Sequence, residues 1–318
     1  MTAEILCDIA ENPVPPHARA GFFTTSDNVS IRYALFKRTA EPARGTICLV
    51  QGRTEFIEKY FETITDFQKR GFAVATFDFR GQGGSQRLTR HKHLGYVDKF
   101  DDYWTDLRDF HQQILLPECP PPFHLVGHSM GGLVSLLAAV RDRLMFDRML
   151  LSAPMLALDR QPLSMAGMAR LTETLCFLGL GQVPIARRQD QPLTEQSFPT
   201  NPLTSDKARY LRNLAVLKAR PDLEVGAPAV RWVAAAMRAM ARIAHADFPV
   251  AVRVPVLMLA AARDTVVSTN TIESLGLRMR LGRHAVLPAA KHELLMETDE
   301  VRSQLFAAFD AFITERTL

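Results

Sequence analysis

The chain has 318 residues, 47% of them apolar and 23% charged, with a formal net charge of +4. Those figures describe an ordinary globular chain, long enough for one large α/β domain with an insertion or for two domains. They exclude a membrane-spanning helix, since no stretch approaches the run of about 20 apolar residues that a span requires. Nucleic-acid binding is also disfavoured, because no basic stripe with interleaved aromatics is present.

The segment Met1-Thr2-Ala3-Glu4-Ile5-Leu6-Cys7-Asp8 lacks a basic start and is broken by acids, so it does not read as a signal peptide. Residues 1–20, with Pro13, Pro15 and Pro16, read as an extended arm. Val29 to Leu35 alternates as a strand does, and Thr46 to Val50 is a continuous apolar run, as in a strand buried on both faces. After Gln51-Gly52-Arg53-Thr54-Glu55, the residues Phe56, Ile57, Tyr60, Phe61, Ile64 and Phe67 share a helical face that stops at Gly71. Phe72 to Phe79 is the next strand. It runs into a glycine-rich loop, Asp78 to Ser85, without the Gly-Lys-Ser/Thr ending of a phosphate cradle. His91, His93 and Asp98 are close in sequence, but no regular element gathers them on one face, so they read as loop rather than metal ligands. Phe100, Tyr103, Trp104, Leu107, Phe110 and Ile114 mark an amphipathic helix with acids in its first turn.

The centre of the chain is Leu125-Val126-Gly127-His128-Ser129-Met130-Gly131-Gly132. An apolar run, Phe123 to Val126, precedes it, and a helical run from Leu133 follows. Strand, Gly-x-Ser-x-Gly, helix is a nucleophile elbow, a turn so sharp that side chains at 127 and 131 would collide with the packed strand and helix. Ser129 is thereby the candidate nucleophile. The N–H of Met130, at the start of the new helix, is a candidate oxyanion donor.

Arg148 to Leu151 is a further strand, and then the alternation of β and α stops. Residues 155–248 read as an all-helical insertion, with helices at Leu163 to Leu180, Asp206 to Ala219 and Ala229 to Ala244, and joints at Pro184, Pro192, Pro199, Pro202 and Pro221. Leu163, Met165, Met168, Leu171, Leu175 and Leu178 are placed either to line one side of a pocket there or to seat the lid on the core. The insertion holds 12 Lys/Arg against 8 Asp/Glu, which is the whole of the formal excess. Such a bias suits weak attraction to an anionic lipid surface. Strand, helix and strand resume at Val254 to Ala261, Thr271 to Leu281 and Arg283 to Leu287, and a last helix follows Thr298. The pattern predicts a doubly wound, mostly parallel sheet with a helical cap inserted after the sixth strand. The core is 1–154 and 249–318, and the cap is 155–248.

A serine hydroxyl needs a base within hydrogen-bond reach. Of nine histidines, His292 lies on the loop after the last strand, where this architecture delivers its base. His128 adjoins the serine on a tight turn and points away from it. The acid that orients the imidazole is expected at the end of the strand 254–261, which makes it Asp264; Asp159, after the preceding strand, is the alternative. The second oxyanion donor falls to the N–H of Arg53, after the strand 46–50. Cys7, Cys48, Cys119 and Cys176 lie far apart and read as reduced thiols of a cytoplasmic protein, with no zinc site.

Together these residues resemble the α/β-hydrolase superfamily, and within it the bacterial lysophospholipase and monoacylglycerol-lipase branch. Gly52-Arg53-Thr54-Glu55, Asp78-Phe79-Arg80-Gly81-Gln82-Gly83, Leu94-Gly95-Tyr96-Val97 and His128-Ser129-Met130-Gly131-Gly132 carry the likeness, with Leu203-Thr204-Ser205-Asp206 and Gly226-Ala227-Pro228 in the insertion. The resemblance implies an α/β-hydrolase fold, a lid over an acyl pocket and cofactor-free hydrolysis of a single-chain lipid ester, a lysophospholipid or monoacylglycerol. Monoacylglycerol lipases carry His-Gly where this chain has Gln51-Gly52-Arg53, and the larger charged residue favours a phosphate-bearing substrate. Proline iminopeptidases share the fold and the elbow, which keeps a peptidase, and also a non-lipid small-ester hydrolase, as alternatives. An aspartate nucleophile would be needed at 129 for haloalkane or epoxide chemistry.

Overall fold

The computed structural model describes residues 5–159, 163–185 and 193–314. The expectations that fall on Met1 to Glu4 and on the joint at Pro192 lie outside them. Strands β1 (Ala18–Thr24) and β2 (Ser30–Phe36) open the chain as an antiparallel pair. β1 therefore begins inside the stretch read as an arm. As the sheet's edge strand it buries only Phe23, so its sequence shows no steady alternation.

The apolar runs form the rest of the sheet: β3 (Thr46–Val50), β4 (Ala73–Phe77), β5 (Phe123–His128), β6 (Arg148–Ser152), β7 (Val256–Ala261) and β8 (Gly282–Leu287). The order across the sheet is β1-β2-β4-β3-β5-β6-β7-β8, and every neighbouring pair from β4 to β8 is parallel. Every residue of β3, β6 and β7 is buried, which is why these strands read as unbroken apolar runs.

Eight longer helices follow in chain order among the described residues: α1 (Phe61–Lys69), α2 (Phe100–Phe110), α3 (Met130–Arg141), α4 (Met165–Phe177), α5 (Lys207–Ala219), α6 (Val230–Ala244), α7 (Thr269–Arg278) and α8 (Asp299–Thr314). Ile64 and Phe67 of α1 and Leu305 and Phe309 of α8 pack on Leu49, Val126 and Leu150 of one sheet face. Leu107 of α2, Leu133 of α3 and Leu275 of α7 pack on Val50, Leu151 and Met258 of the other. Helices cover both faces, as a doubly wound sheet requires.

The helical face expected from Phe56 onward is divided. Ile57–Tyr60 is a 3-10 turn that precedes α1, and both Glu58 and Lys59 in it are buried. Asn12 Nδ2 donates to the Glu58 carbonyl at 2.9 Å, while Arg32 holds the Glu58 carboxylate through two nitrogens at 2.8 Å each. Ion pairing, rather than apolar periodicity, shapes this turn. Between β6 and β7 the chain makes α4, α5 and α6. Trp232 of α6 donates to the Tyr103 hydroxyl of α2 at 3.0 Å, and Arg209 of α5 binds Glu62 of α1 at 2.6 and 2.8 Å.

Candidate active site

Ser129 follows β5 and caps α3 with φ +50°, a left-handed value that costs a non-glycine residue about 1–3 kcal/mol. Its neighbours hold it there: its N–H donates to the Ser152 carbonyl at 3.0 Å, and its carbonyl accepts from Met155 at 3.0 Å and Leu133 at 3.2 Å. A Cβ at Gly131 would stand 2.4 Å from the Gln51 carbonyl oxygen and 2.5 Å from that of Val50. Only glycine lets the end of β3 approach the elbow this closely.

Ser129 Oγ lies 3.0 Å from His292 Nε2, and His292 Nδ1 lies 2.8 Å from Asp264 Oδ2. Oδ1 of Asp264 accepts from the amides of Val266 at 2.8 Å and Val267 at 3.0 Å. An ionised carboxylate can only accept, so Nδ1 carries the proton and Nε2 is left to accept from the serine hydroxyl. Burial pushes the Asp264 carboxyl upward, but His292 and the two amides outweigh it and hold it below the usual carboxylate range. The imidazole thus faces Asp264. Asp159 is engaged nearby through its backbone, its N–H donating to the Val266 carbonyl at 3.0 Å.

The loop after β3 is braced on both sides of Arg53. The Gly52 N–H donates to the Glu55 carboxylate. Gln82, from the glycine-rich loop, gives its Nε2 to the Gly52 carbonyl at 2.8 Å and receives the Thr54 N–H at 3.3 Å. The Arg53 side chain crosses to the helical segment, donating to the Gly226 carbonyl at 3.0 Å and lying 5.5 Å from the Trp232 ring centroid. Across the loop, Met130 opens α3, whose positive end points at the site. The brace from Gln82 and the acceptor Glu55 escaped the sequence reading. Their only signal was position inside the two loops already singled out.

His128 sits with its ring 5.0 Å from the His292 ring and its Nδ1 3.1 Å from the Ser152 carbonyl. Burial lowers its pKa to about 4, so at neutral pH it is an uncharged wall of the site. A cavity of about 510 Å³ opens over Ser129. Leu163, Met168, Leu171, Leu175, Trp232 and Met237 give it apolar lining, and Gln196, Thr204, Tyr210, Asn213 and Glu224 add polar groups. Two residues expected on that lining are elsewhere. Met165 packs on the main core, and Leu178 is 64% exposed because α4 ends at Phe177.

His93 is used in the fold. Its Nδ1 donates to the Glu224 carbonyl at 3.1 Å, and its own carbonyl accepts from Gly226 at 2.8 Å. Among the described residues no group of three or more His, Cys, Asp or Glu is arranged to hold a metal ion, and no helix is long and apolar enough to cross a membrane.

A family model described as serine aminopeptidase, S33, matches residues 41–299. The chain is 32% identical to lysophospholipase L2 of Escherichia coli K12 over 306 residues, covering 91% of this chain and 86% of the relative. It belongs to the α/β-hydrolases, in their lysophospholipase and monoglyceride-lipase branch. A probable lysophospholipase L2 of Haemophilus influenzae is 28% identical over 90% of this chain and 89% of its own. The α/β-hydrolase fold recurs in a soluble variant of Saccharomyces cerevisiae monoglyceride lipase bound to a substrate analogue, with TM-score 0.74, 20% identity and 96% of each chain covered. It recurs again in a thermostable carboxyl esterase of Bacillus coagulans, with TM-score 0.73, 18% identity, 93% of this chain and 99% of that one. This α/β-hydrolase is an enzyme, a hydrolase by its family.

Proposed function

We propose that the chain hydrolyses the acyl ester of a single-chain lipid, a lysophospholipid or a monoacylglycerol, through an acyl-enzyme. Ser129 attacks the ester carbonyl, and His292 takes the hydroxyl proton and returns it to the leaving alcohol. Asp264 keeps the imidazole in the tautomer that accepts from serine. The amides of Arg53 and Met130 receive the oxyanion. Water then attacks the acyl-enzyme with His292 again as base, releasing the fatty acid. The observation that carries this reading is the pair of contacts Ser129–His292 at 3.0 Å and His292–Asp264 at 2.8 Å beneath a largely apolar cavity.

In this reading residues 1–154 and 249–318 are the catalytic core and 155–248 the lid, with no cofactor required. Phe177, the last residue of α4, is 91% exposed, and Leu178, Leu180 and Val183 after it are also exposed, on the segment that carries the basic excess. That combination suits peripheral contact with an anionic membrane, met from the cytoplasmic side. Salt is then expected to lower activity on anionic vesicles more than on neutral micelles.

A serine aminopeptidase is the second reading. It is favoured by the family description and by Glu224, a carboxylate on the cavity wall of the kind a substrate amine needs. Glu224 already accepts from the Thr194 amide at 3.0 Å and from its hydroxyl at 2.8 and 2.9 Å, which places its charge against the protein. Measuring kcat/KM for lysophospholipids, monoacylglycerols and aminoacyl arylamides on one preparation separates the two. Higher values on the arylamides would reject the lipid assignment.

A further inference from the structure

Behind Ser129 lies a row of polar side chains that ester hydrolysis does not use. Val50 pairs with Gly127 and His128 pairs with Ser152, so Gln51, His128 and Ser152 stand side by side at the ends of three adjacent strands. Alternation puts all three on the face that carries Leu49, Val126 and Leu150. Gln51 and Ser152 are 0% exposed, and His128 is 3% exposed. Neither Nε2 nor Oε1 of Gln51, nor Oγ of Ser152, has a hydrogen-bond partner among the described residues. A primary amide buried with both ends unsatisfied is strongly disfavoured, and a methionine would fill the same volume without that cost.

A second mismatch lies beside it. His128 Nδ1 faces a carbonyl oxygen and therefore carries the ring proton, which makes Nε2 an acceptor. Nε2 faces Glu55 Oε1 at 3.7 Å, and a carboxylate oxygen is an acceptor as well. Glu55 Oε1 already accepts from Lys59 Nζ at 2.7 Å and has no proton to give, so a donor for His128 Nε2 must come from a third group. Water has two O–H donors and two lone pairs, and the spacing suits a bridging molecule.

We propose that Gln51, Glu55, His128 and Ser152 form an internal hydration site behind the nucleophile, whose ligand is water. One molecule donates to His128 Nε2 and Glu55 Oε1 and accepts from the Gln51 amide; on the other flank of the ring, water satisfies Ser152 Oγ. Glu55 and His128 both line the cavity, so the site fills from the substrate side. The bridge fixes the tautomer of the ring that packs on His292. Through Glu55, which holds the Gly52 N–H, it also joins the nucleophile elbow to the loop around Arg53. The site does not depend on which ester is cleaved.

The test uses the full-length protein labelled with ¹⁵N-glutamine and ¹⁵N-histidine. In the unsubstituted protein, the Gln51 side-chain amide is expected to show a dipolar cross-peak to long-lived water; a resolved amide without one overturns the site. The Gln51→Met variant is expected to melt a few degrees lower, because a bound water loses a ligand, whereas a higher Tm shows a dry amide and overturns it. In the same variant the His128 Nε2 resonance is expected to move toward the value of an imine nitrogen without a hydrogen bond. An unchanged resonance removes the bridge.

Discussion

Lys59 Nζ lies 2.6 Å from Glu293 Oε1, so a buried ammonium on the turn before α1 grips the residue that follows His292. The same nitrogen lies 2.7 Å from Glu55 Oε1, which places it between the Arg53 loop and the His292 loop. Burial alone would lower the Lys59 pKa, but Glu293 and Glu55 raise it above the ordinary lysine value. Burial likewise raises Glu55, yet Lys59 and His128 bring it down to about 2, so Glu55 is the firmly ionised partner. Glu293 is held above the usual carboxylate range by burial.

Lys59→Met removes the shared cation and leaves two buried carboxylates facing each other. Breaking a buried pair in this way costs about 3–5 kcal/mol, more than the loss of an exposed pair. Urea denaturation should show a lower midpoint, with Lys59→Arg intermediate. The two loops also lose their common anchor, so kcat is expected to fall roughly 10- to 100-fold with a smaller change in KM. A variant within about 1 kcal/mol of the parent would show that the cation does not hold the loops.

Asp264→Asn is expected to keep the fold and lower kcat up to ~10⁴-fold, since an amide no longer fixes the Nδ1–H tautomer. Asp159→Asn should be nearly silent. A fluorophosphonate probe should label Ser129, and Ser129→Ala should remain unlabelled. Reversed aspartate results, or a label mapped to another residue, would overturn the proposed roles.

Residues 129, 264 and 292 were legible from the chain because each lies at an element boundary that local pattern reveals. A glycine-flanked turn, the end of an apolar run and the loop after the last strand are marked in the sequence, and the fold brings these three within hydrogen-bond distance. Lys59 and Gln82 were not legible. Lys59 meets Glu293 across 234 positions of sequence, and Gln82 meets Gly52 across 30, with no periodicity to announce either contact. The apolar face drawn from Phe56 hid Glu58 and Lys59, whose burial rests on ion pairs rather than on hydrophobic spacing. β1 was half lost for the opposite reason: an edge strand buries too little to be patterned.

His124 and His128 supply a pH signature. Burial lowers each pKa to about 4, from an ordinary value near 6.5. A folded-state pKa below the unfolded one gives stability that is complete above the unfolded pKa and lost as pH falls through the window from about 6.5 to 4. Each group is worth on the order of 3 kcal/mol across that window. Glu55, at about 2, extends the loss to lower pH in the same direction. Melting temperature is therefore expected to drop between pH 6.5 and 4. His124→Phe, which preserves the edge contact with Phe72 at 6.0 Å, should flatten the slope; an unaltered slope would assign the titration elsewhere.

Gly131→Ala tests the elbow's packing. Its Cβ would meet backbone oxygens of Val50 and Gln51, which cannot rotate aside as a flexible side chain can. The expected outcome is a loss of about 1–3 kcal/mol by overpacking, with kcat falling because β3 and the Arg53 loop are pushed from the serine. Unchanged thermal stability and rate would show that β3 has room to retreat.

The last expectation concerns the apolar wall of the cavity. Leu163, Met168, Leu171 and Leu175 reach the cavity from α4 and the residue pair before it, and Trp232 and Met237 of α6 line it with them. Unbranched methionines adapt to a flexible chain, which suits an acyl tail. Each buried methylene is worth about 0.8 kcal/mol, so kcat/KM should rise roughly fourfold per added CH₂ until the wall is filled. Met168 is 8% exposed, so a larger side chain there must intrude on the cavity rather than on solvent. Met168→Trp should accordingly shift the optimum to shorter acyl chains while leaving short esters comparatively unaffected. The series is to be run with soluble esters and lysophospholipids below their aggregation thresholds, so that micelle formation does not mimic a preference. A flat chain-length profile in the parent enzyme, or an optimum unmoved in Met168→Trp, would leave α4 as the seat of the lid and place the acyl chain elsewhere.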